Sequence, residues 1–485
     1  MAVNSLDLKS SPFAVNATTN NLPFVVTSPS ASAAQFKLVT DIYIPQRSTS
    51  RLTRIKTAPS ASLCMIDIAS ICSDYLTYDT PMYTVGGVGS FTNAAQFLII
   101  MGEEYADSPS GSIVQYNGNG LAGEPAFTAS FSGSADKLGT LIPAVNELSN
   151  LSYDWPRDKW SMVDQGLTTT KNTPFLTNDP NFTLSGIINA GGTSTKKAHD
   201  YDWETISLIT DGQYNEGINF VDVSLYSGST NVQVFNDSNY YTTQVFTAAL
   251  EPLHHIGIGP ANISASDSSA ASYIHNGDWT YLRFDFDFIS GDNRVVEIYR
   301  EPCYYYDQNL AKEYPDEDET RRIKGRTRFA FINKYGVMDY YNVNNPVKKS
   351  AKITRKDYTQ PQLPWNTLSD TDGAIFDANK RGKDTYATMF TDQFEVTTDY
   401  LDQEYADWLT ELIESPSVFI QSDSLNNQLN LNKTNFFEER AAIQNGFVPI
   451  NIKNASYTWR TNKFKQKLYQ YDLKWELSNT AETRR

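Results

Sequence analysis

The sharpest hydrophobic pattern in the chain runs from Thr280 to Ile289, where Leu282, Phe284, Phe286 and Phe288 alternate with Arg283, Asp285 and Asp287. A period of two puts the apolar set on one face of a strand and the charged set on the other, as in a sheet with one wet face. The same alternation recurs near the C-terminal end, where Tyr469, Tyr471, Leu473, Trp475 and Leu477 interleave with Gln470, Asp472, Lys474 and Glu476. Apolar runs predict further strands at Phe36 to Ile44, Ala94 to Tyr105, Glu204 to Ile209, Phe220 to Tyr226, Val232 to Phe235 and Val418 to Gln421. Arg326 to Phe331 and Val337 to Val343 flank the turn residues Asn333, Lys334, Tyr335 and Gly336, which predicts a hairpin. Helical spacing is rarer. Met65, Ile68, Ile71, Cys72 and Tyr75 predict a short helix within Leu63 to Leu76. Leu401, Tyr405, Trp408, Leu409, Leu412 and Ile413 predict a second, capped by Asp399 and stopped at Ser415 and Pro416.

These elements predict a mainly β chain, multidomain and β-sandwich-like, with a few short helices. Its 485 residues accommodate several domains. Residues 1–35, rich in Ser, Thr and Asn around Pro12, Pro23 and Pro29, read as an extended N-terminal arm; 36–138 as a first β domain; 139–200 as a connecting or inserted segment; and 201–300 as a second β domain. Residues 301–485 read as a C-terminal α+β domain with the hairpin, the amphipathic helix and terminal strands, and its acidic run Asp316 to Glu319 as a solvated loop. Pro23 to Pro29 and Pro174 to Pro180 share a Pro-Phe start and the same spacing, a faint echo that raises internal duplication as a hypothesis.

Composition narrows the function. A net charge of −16 disfavours partners that are nucleic acids or anionic membranes, because phosphate contact needs a surplus of Lys and Arg. Cys64, Cys72 and Cys303 are odd in number and lack metal-ligand spacing, which argues against a disulfide framework and suits synthesis in a reduced cytoplasm. Met1 to Ser5 lacks a charged start to a signal peptide, and the longest apolar run, Phe97 to Met101, is too short for a membrane span.

The candidate chemistry is thin. Gly118, Gly120 and Gly123 match a dinucleotide fingerprint, but Glu124 and Pro125 deny it the helix whose N-terminus would hold a pyrophosphate. Asp370, Asp372, Gly373 and Asp377 resemble a calcium loop without its twelfth-position Glu. Asp285 and Asp287 share a strand face and read as solvated. Glu103 and Glu104 would be a glycosidase pair only if both reached one site, and neighbours on a strand point to opposite faces. His254 and His255 lie between Pro252 and a Gly-Ile-Gly-Pro turn and read as a loop or edge position; with His199 and His275 they complete the histidines. No residue is therefore expected to be catalytic, cofactor-binding or metal-ligating. The paired aromatics Tyr240-Tyr241, Tyr304-Tyr305-Tyr306 and Tyr340-Tyr341 suit subunit interfaces and intradomain cores equally.

Three blocks resemble virion structural proteins of tailed bacteriophages, particularly those of marine and Bacteroidetes hosts. They are Thr27-Ser28-Pro29 with Phe36 to Tyr43, Met65 to Ala69 and Tyr75-Leu76; Arg328 to Tyr341; and Trp408 to Pro416 with Asn451-Ile452-Lys453. The resemblance implies a non-enzymatic tail component in a hub, distal-tail or fibre-bearing position. It would be located in the virion and made in the host cytoplasm, self-associating as a homo-oligomer and docking other tail and fibre proteins, with no cofactor. The alternatives are a receptor- or glycan-binding tail-tip module and, less favoured, a glycan-degrading tail enzyme.

Overall fold

A computed structural model describes residues 7–10, 15–17, 22–43, 53–76, 87–90, 95–106, 108–116, 139–142, 175–177, 179–182, 193–209, 218–242, 253–288, 293–301, 305–307, 312–314, 327–333, 336–345, 347–359, 365–367, 374–376, 382–421, 447–453, 469–478 and 482–484. The chain is mostly β, with several sheets and a few short helices. It forms two compact units. The first takes Met1–Cys303 with Phe331–Tyr340 and Trp408–Pro416; the second takes Tyr304–Ala330, Tyr341–Asp407 and Ser417–Arg485.

Among the described residues of the first unit lie two apolar cores. One lies among the three-stranded sheet ordered Asp7–Ser10, Pro23–Thr27, Leu63–Asp67 and the six-stranded sheet ordered Val15–Ala17, Gly139–Ile142, Ala95–Ala106, Ala34–Tyr43, Thr53–Thr57, with Val114–Tyr116 also on Ala95–Ala106. Phe24, Val26, Leu38, Cys64, Phe97 and Met101 fill it. The other lies among the five-stranded sheet ordered Thr193–Ala198, Asn293–Arg300, Tyr281–Phe288, Ile218–Ser227, Val232–Thr242 and the three-stranded sheet ordered Thr205–Ile209, Leu253–Gly257, Gly87–Ser90. Leu208, Ile256, Leu282, Phe284, Phe286 and Ile298 fill this one. Tyr281–Phe288 is buried at every second residue, as its alternation predicts. Gly87–Ser90, from the span read as the first β domain, pairs antiparallel with Leu253–Gly257 from the span read as the second.

Several expectations are refined by pairing. The strand read at Phe36 to Ile44 is Ala34–Tyr43, and Val232 to Phe235 extends to Thr242 as the return of a long hairpin. Its turn places Gly228 at φ +74° and Asn231 at φ +48°, the left-handed region that glycine enters freely and asparagine tolerates. Leu63 to Leu76 is not one helix. Leu63–Asp67 is a strand paired with Pro23–Thr27, burying Cys64 and Ile66 and exposing Leu63 and Met65, and only Ala69–Ser73 is helical. Residues three and four apart misled there because a strand followed by one helical turn reproduces the same spacing. The two Pro-Phe segments also differ: Pro23–Thr27 is a strand inside a sheet, whereas Phe175 makes a single bridge to Leu208.

The eight-stranded sheet runs Met338–Val343, Thr327–Ile332, Val418–Gln421, Phe447–Ile452, Asp472–Leu477, Lys383–Thr397, Lys348–Thr359, with Glu482–Arg484 also on Lys383–Thr397. In the second unit, Trp475 is fully buried, edge-on to Phe329 at 5.2 Å and stacked on Phe394 at 5.7 Å. The helix is Gln403–Glu414, and its first turn is capped by Asp402, whose Oδ1 accepts from the Tyr405 amide at 3.0 Å. Asp399 sits too far upstream to reach that turn. Short hairpins Tyr305–Asp307 with Lys312–Tyr314 and Trp365–Thr367 with Ala374–Phe376 complete the described strands.

Candidate functional site

Glu103, Glu104, Asp285 and Asp287 are each held by the fold. Glu103 and Glu104 are both buried but face apart: Glu103 accepts from Ser28 Oγ at 2.5 Å and Ser30 Oγ at 3.3 Å, while Glu104 meets Lys56 Nζ at 2.8 Å. They do not share a site. Asp285 takes a forked pair of hydrogen bonds from Arg283, with Nη2 at 3.0 Å, and Asp287 accepts from Asn219 at 2.9 Å. Asp222 lies opposite Asp285 in the register, and burial, then the neighbouring Asp285, Asp237 and Asp287, push its carboxyl above the usual range.

The four histidines all make contacts within the fold. His254 and His255 are corrected from a loop or edge position: they are buried in Leu253–Gly257, the middle strand of its sheet. Pro252 and the following glycines suggested a turn, but the backbone between them is fully paired. His254 Nδ1 lies 2.8 Å from Tyr241 Oη, and His255 Nδ1 lies 2.7 Å from Ser207 Oγ. His199 Nδ1 lies 2.8 Å from the Glu301 carbonyl, and His275 stacks on Tyr201. Among the described residues no group of three or more His, Cys, Asp or Glu could hold a metal ion. Cys64 and Cys72 are free and buried, and burial raises their thiols to about 11 and about 12, which favours the thiol over the nucleophilic thiolate. The glycine-rich motif at Gly118, the Asp370 to Asp377 loop apart from its short strand, Cys303 and Tyr304 lie outside the described residues.

Sequence reasoning missed a buried polar network in the first unit. Asp339 accepts from Thr177 Oγ1 at 2.7 Å and from Trp408 Nε1 at 2.8 Å. Lys196 meets Asp179 at 2.6 Å and also Glu204, so one ammonium answers two carboxylates. Burial raises Asp339 to about 6 against the lowering effect of its two donors, and the two carboxylates outweigh burial to raise Lys196. The network joins segments far apart in sequence, with Thr177 and Asp339 on one side and Lys196 between Asp179 and Glu204 on the other. Tyr240 and Tyr340 are spent likewise, on the Gly257 carbonyl at 2.9 Å and on Thr205 at 2.8 Å.

Among the described residues, two surfaces carry aromatic rings that reach solvent. On the wet face of the five-stranded sheet Tyr226, Tyr281 and Tyr299 form a row, with ring centroids 4.5 and 5.2 Å apart. In the second unit, Lys348–Thr359 is exposed at all twelve residues. Its base is tied down: Lys349 pairs with Asp392 at 2.9 Å and lies over the Phe394 ring. Further out, Lys352, Arg355 and Lys356 stand opposite Thr391, Thr388 and Ala387, with no carboxylate partner among the described residues. Ile353 is 52% exposed, Tyr358 46%, Tyr386 54% and Met389 37% on the same strand pair.

No protein-family model and no curated protein matches this chain.

A charged pair in water contributes little, but cations without partners beside exposed aromatics form a surface that gains when another molecule covers it. The tyrosine row is weaker in that respect, because its rings already occupy one another's faces.

Proposed function

We propose that this chain is a structural, non-enzymatic component of a phage virion, placed in the tail at a hub, distal-tail or fibre-bearing position, where it self-associates and docks other tail proteins. The observation that carries the reading is the outer part of the pair Lys348–Thr359 and Lys383–Thr397, which holds Ile353, Tyr358, Tyr386 and Met389 open to water. A strand with no buried face gains no apolar stabilisation in the free molecule. It gains that stabilisation when a neighbouring subunit covers it. The resemblance of Arg328 to Tyr341 and Trp408 to Pro416 to tailed-phage virion proteins points the same way.

The test is a gold-labelled antibody against this chain on negatively stained virions. Label on the tail supports the proposal; label on the head, or purified virions without the chain, overturns it. The tyrosine row of Tyr226, Tyr281 and Tyr299 is the surface a receptor- or glycan-binding role would use, since its hydroxyl edges lie beside Arg283 and Glu297. Glycan binding abolished by Tyr299→Ala would favour that second reading.

A further inference from the structure

We propose that the outer part of the Lys348–Thr359 strand pair is the self-association arm, and that its occupant is the acidic surface of a second copy of this chain. The inference rests on the reading of the protein as a self-associating component and names the surface that does the work. Residues 348–359 carry five cations, Lys348, Lys349, Lys352, Arg355 and Lys356, against the single anion Asp357. With that +4 set aside from the chain's −16, the remainder carries −20. A second copy is thus a strongly acidic partner for the most basic of the described strands.

Charge also decides against the simplest alternative. Lys348–Thr359 ends its sheet, so its outer edge could pair with the same strand of another copy. Such pairing would bring the strands of two copies, each with Lys352, Arg355 and Lys356 unanswered by a carboxylate, within about 5 Å, and like charges placed across a strand pair are destabilising. Lysines along an edge are a recognised defence against that pairing. Docking through side chains has the opposite sign. Lys352 and Lys356 project with Met389 from one face, Arg355 projects with Ile353 from the other, and cross-strand neighbours neutralise none of the three cations. Tyr358 and Tyr386 lie with ring centroids 6.3 Å apart on the same pair and add rigid apolar area. The arm combines long-range attraction to an acidic surface with an apolar contact that forms once the surface arrives.

The experiment uses the full chain in two isotopic forms, one light and one heavy, mixed after purification. Tyr358 is replaced by the photo-crosslinking amino acid benzoylphenylalanine, and self-association is followed in parallel by sedimentation. Crosslinks joining light to heavy copies at acid-rich peptides are expected. Association should weaken by roughly tenfold or more in the triple variant Lys352→Glu, Arg355→Glu, Lys356→Glu, and also in about 1 M salt, where charges are screened within about 3 Å. Circular dichroism of the variant checks that it folds, and Ile353→Ser with Met389→Ser gives a second arm variant of unchanged charge.

If wild type associates and both arm variants associate equally well, the arm proposal is wrong while self-association stands. If wild type stays monomeric at high concentration, both fall. Crosslinks confined to one copy, or formed only when an added oligonucleotide or anionic vesicle occupies the arm, also overturn it.

Discussion

At the scale of single residues, the buried network around Asp339 makes the most specific claims about stability. Asp339 is held near 6 in the folded chain against an ordinary 3.8, so the folded state keeps its proton over that interval and the unfolded state does not. Its contribution is therefore greatest below about pH 4 and is lost as pH rises through 6. Urea midpoints measured from pH 4 to 7 should show wild type losing about 2 kcal/mol relative to Asp339→Asn across the range; parallel curves would show that the carboxyl does not titrate there. Lys196 works the other way, because removing it strands Asp179 and Glu204 as buried like charges. Lys196→Ala should cost about 3–5 kcal/mol by chemical denaturation, and a loss under about 1 kcal/mol would mean that water already reaches the site. None of this was legible in the sequence. Thr177 and Asp339 are 162 positions apart, and nothing local marks either as more than a surface polar residue. Trp408 was legible as a buried helical position, but not as the donor that holds Asp339.

At the scale of elements, periodicity was a good guide where one face is buried and silent where none is. Tyr281–Phe288 and Asp472–Leu477 declare themselves by alternation, and Val418–Gln421 by its apolar run. Lys348–Thr359 is a longer strand than any of them, yet it shows no alternation, because both of its faces meet water and selection for burial leaves no period. The His254-His255 strand failed for a different reason: flanking Pro and Gly signal a turn, but a short central strand needs only five residues between two such breaks. Helix ends are similarly local, and the cap tests that. Asp402 accepts the Tyr405 amide, so Asp402→Ala should destabilise by about 1 kcal/mol in thermal unfolding, while Asp399→Ala, the position the pattern favoured, should change little. Equal losses at the two sites would mean that the helix starts a turn earlier than Gln403.

At the scale of the whole molecule, the separation of apolar material into distinct cores matters more than the count of strands. Phe97 belongs to the core of Phe24, Leu38 and Cys64, whereas Phe284 belongs to the core of Leu208, Ile256 and Ile298. Both are fully buried, so truncation to alanine removes a comparable area and should cost about 3–5 kcal/mol in either place. What differs is where the loss is felt. Side chains in contact share the strain of a cavity, and those in another core share it only through the backbone that joins them. The strand pairing described between their sheets is short: Gly87–Ser90, four residues against Leu253–Gly257. Hydrogen exchange read by mass spectrometry should therefore show Phe97→Ala accelerating Ala34–Tyr43 and Ala95–Ala106 while Tyr281–Phe288 keeps its protection, and Phe284→Ala doing the reverse. If either substitution loosens both sets equally, the two cores open as one cooperative body, and Gly87–Ser90 couples them far more strongly than its four pairs imply.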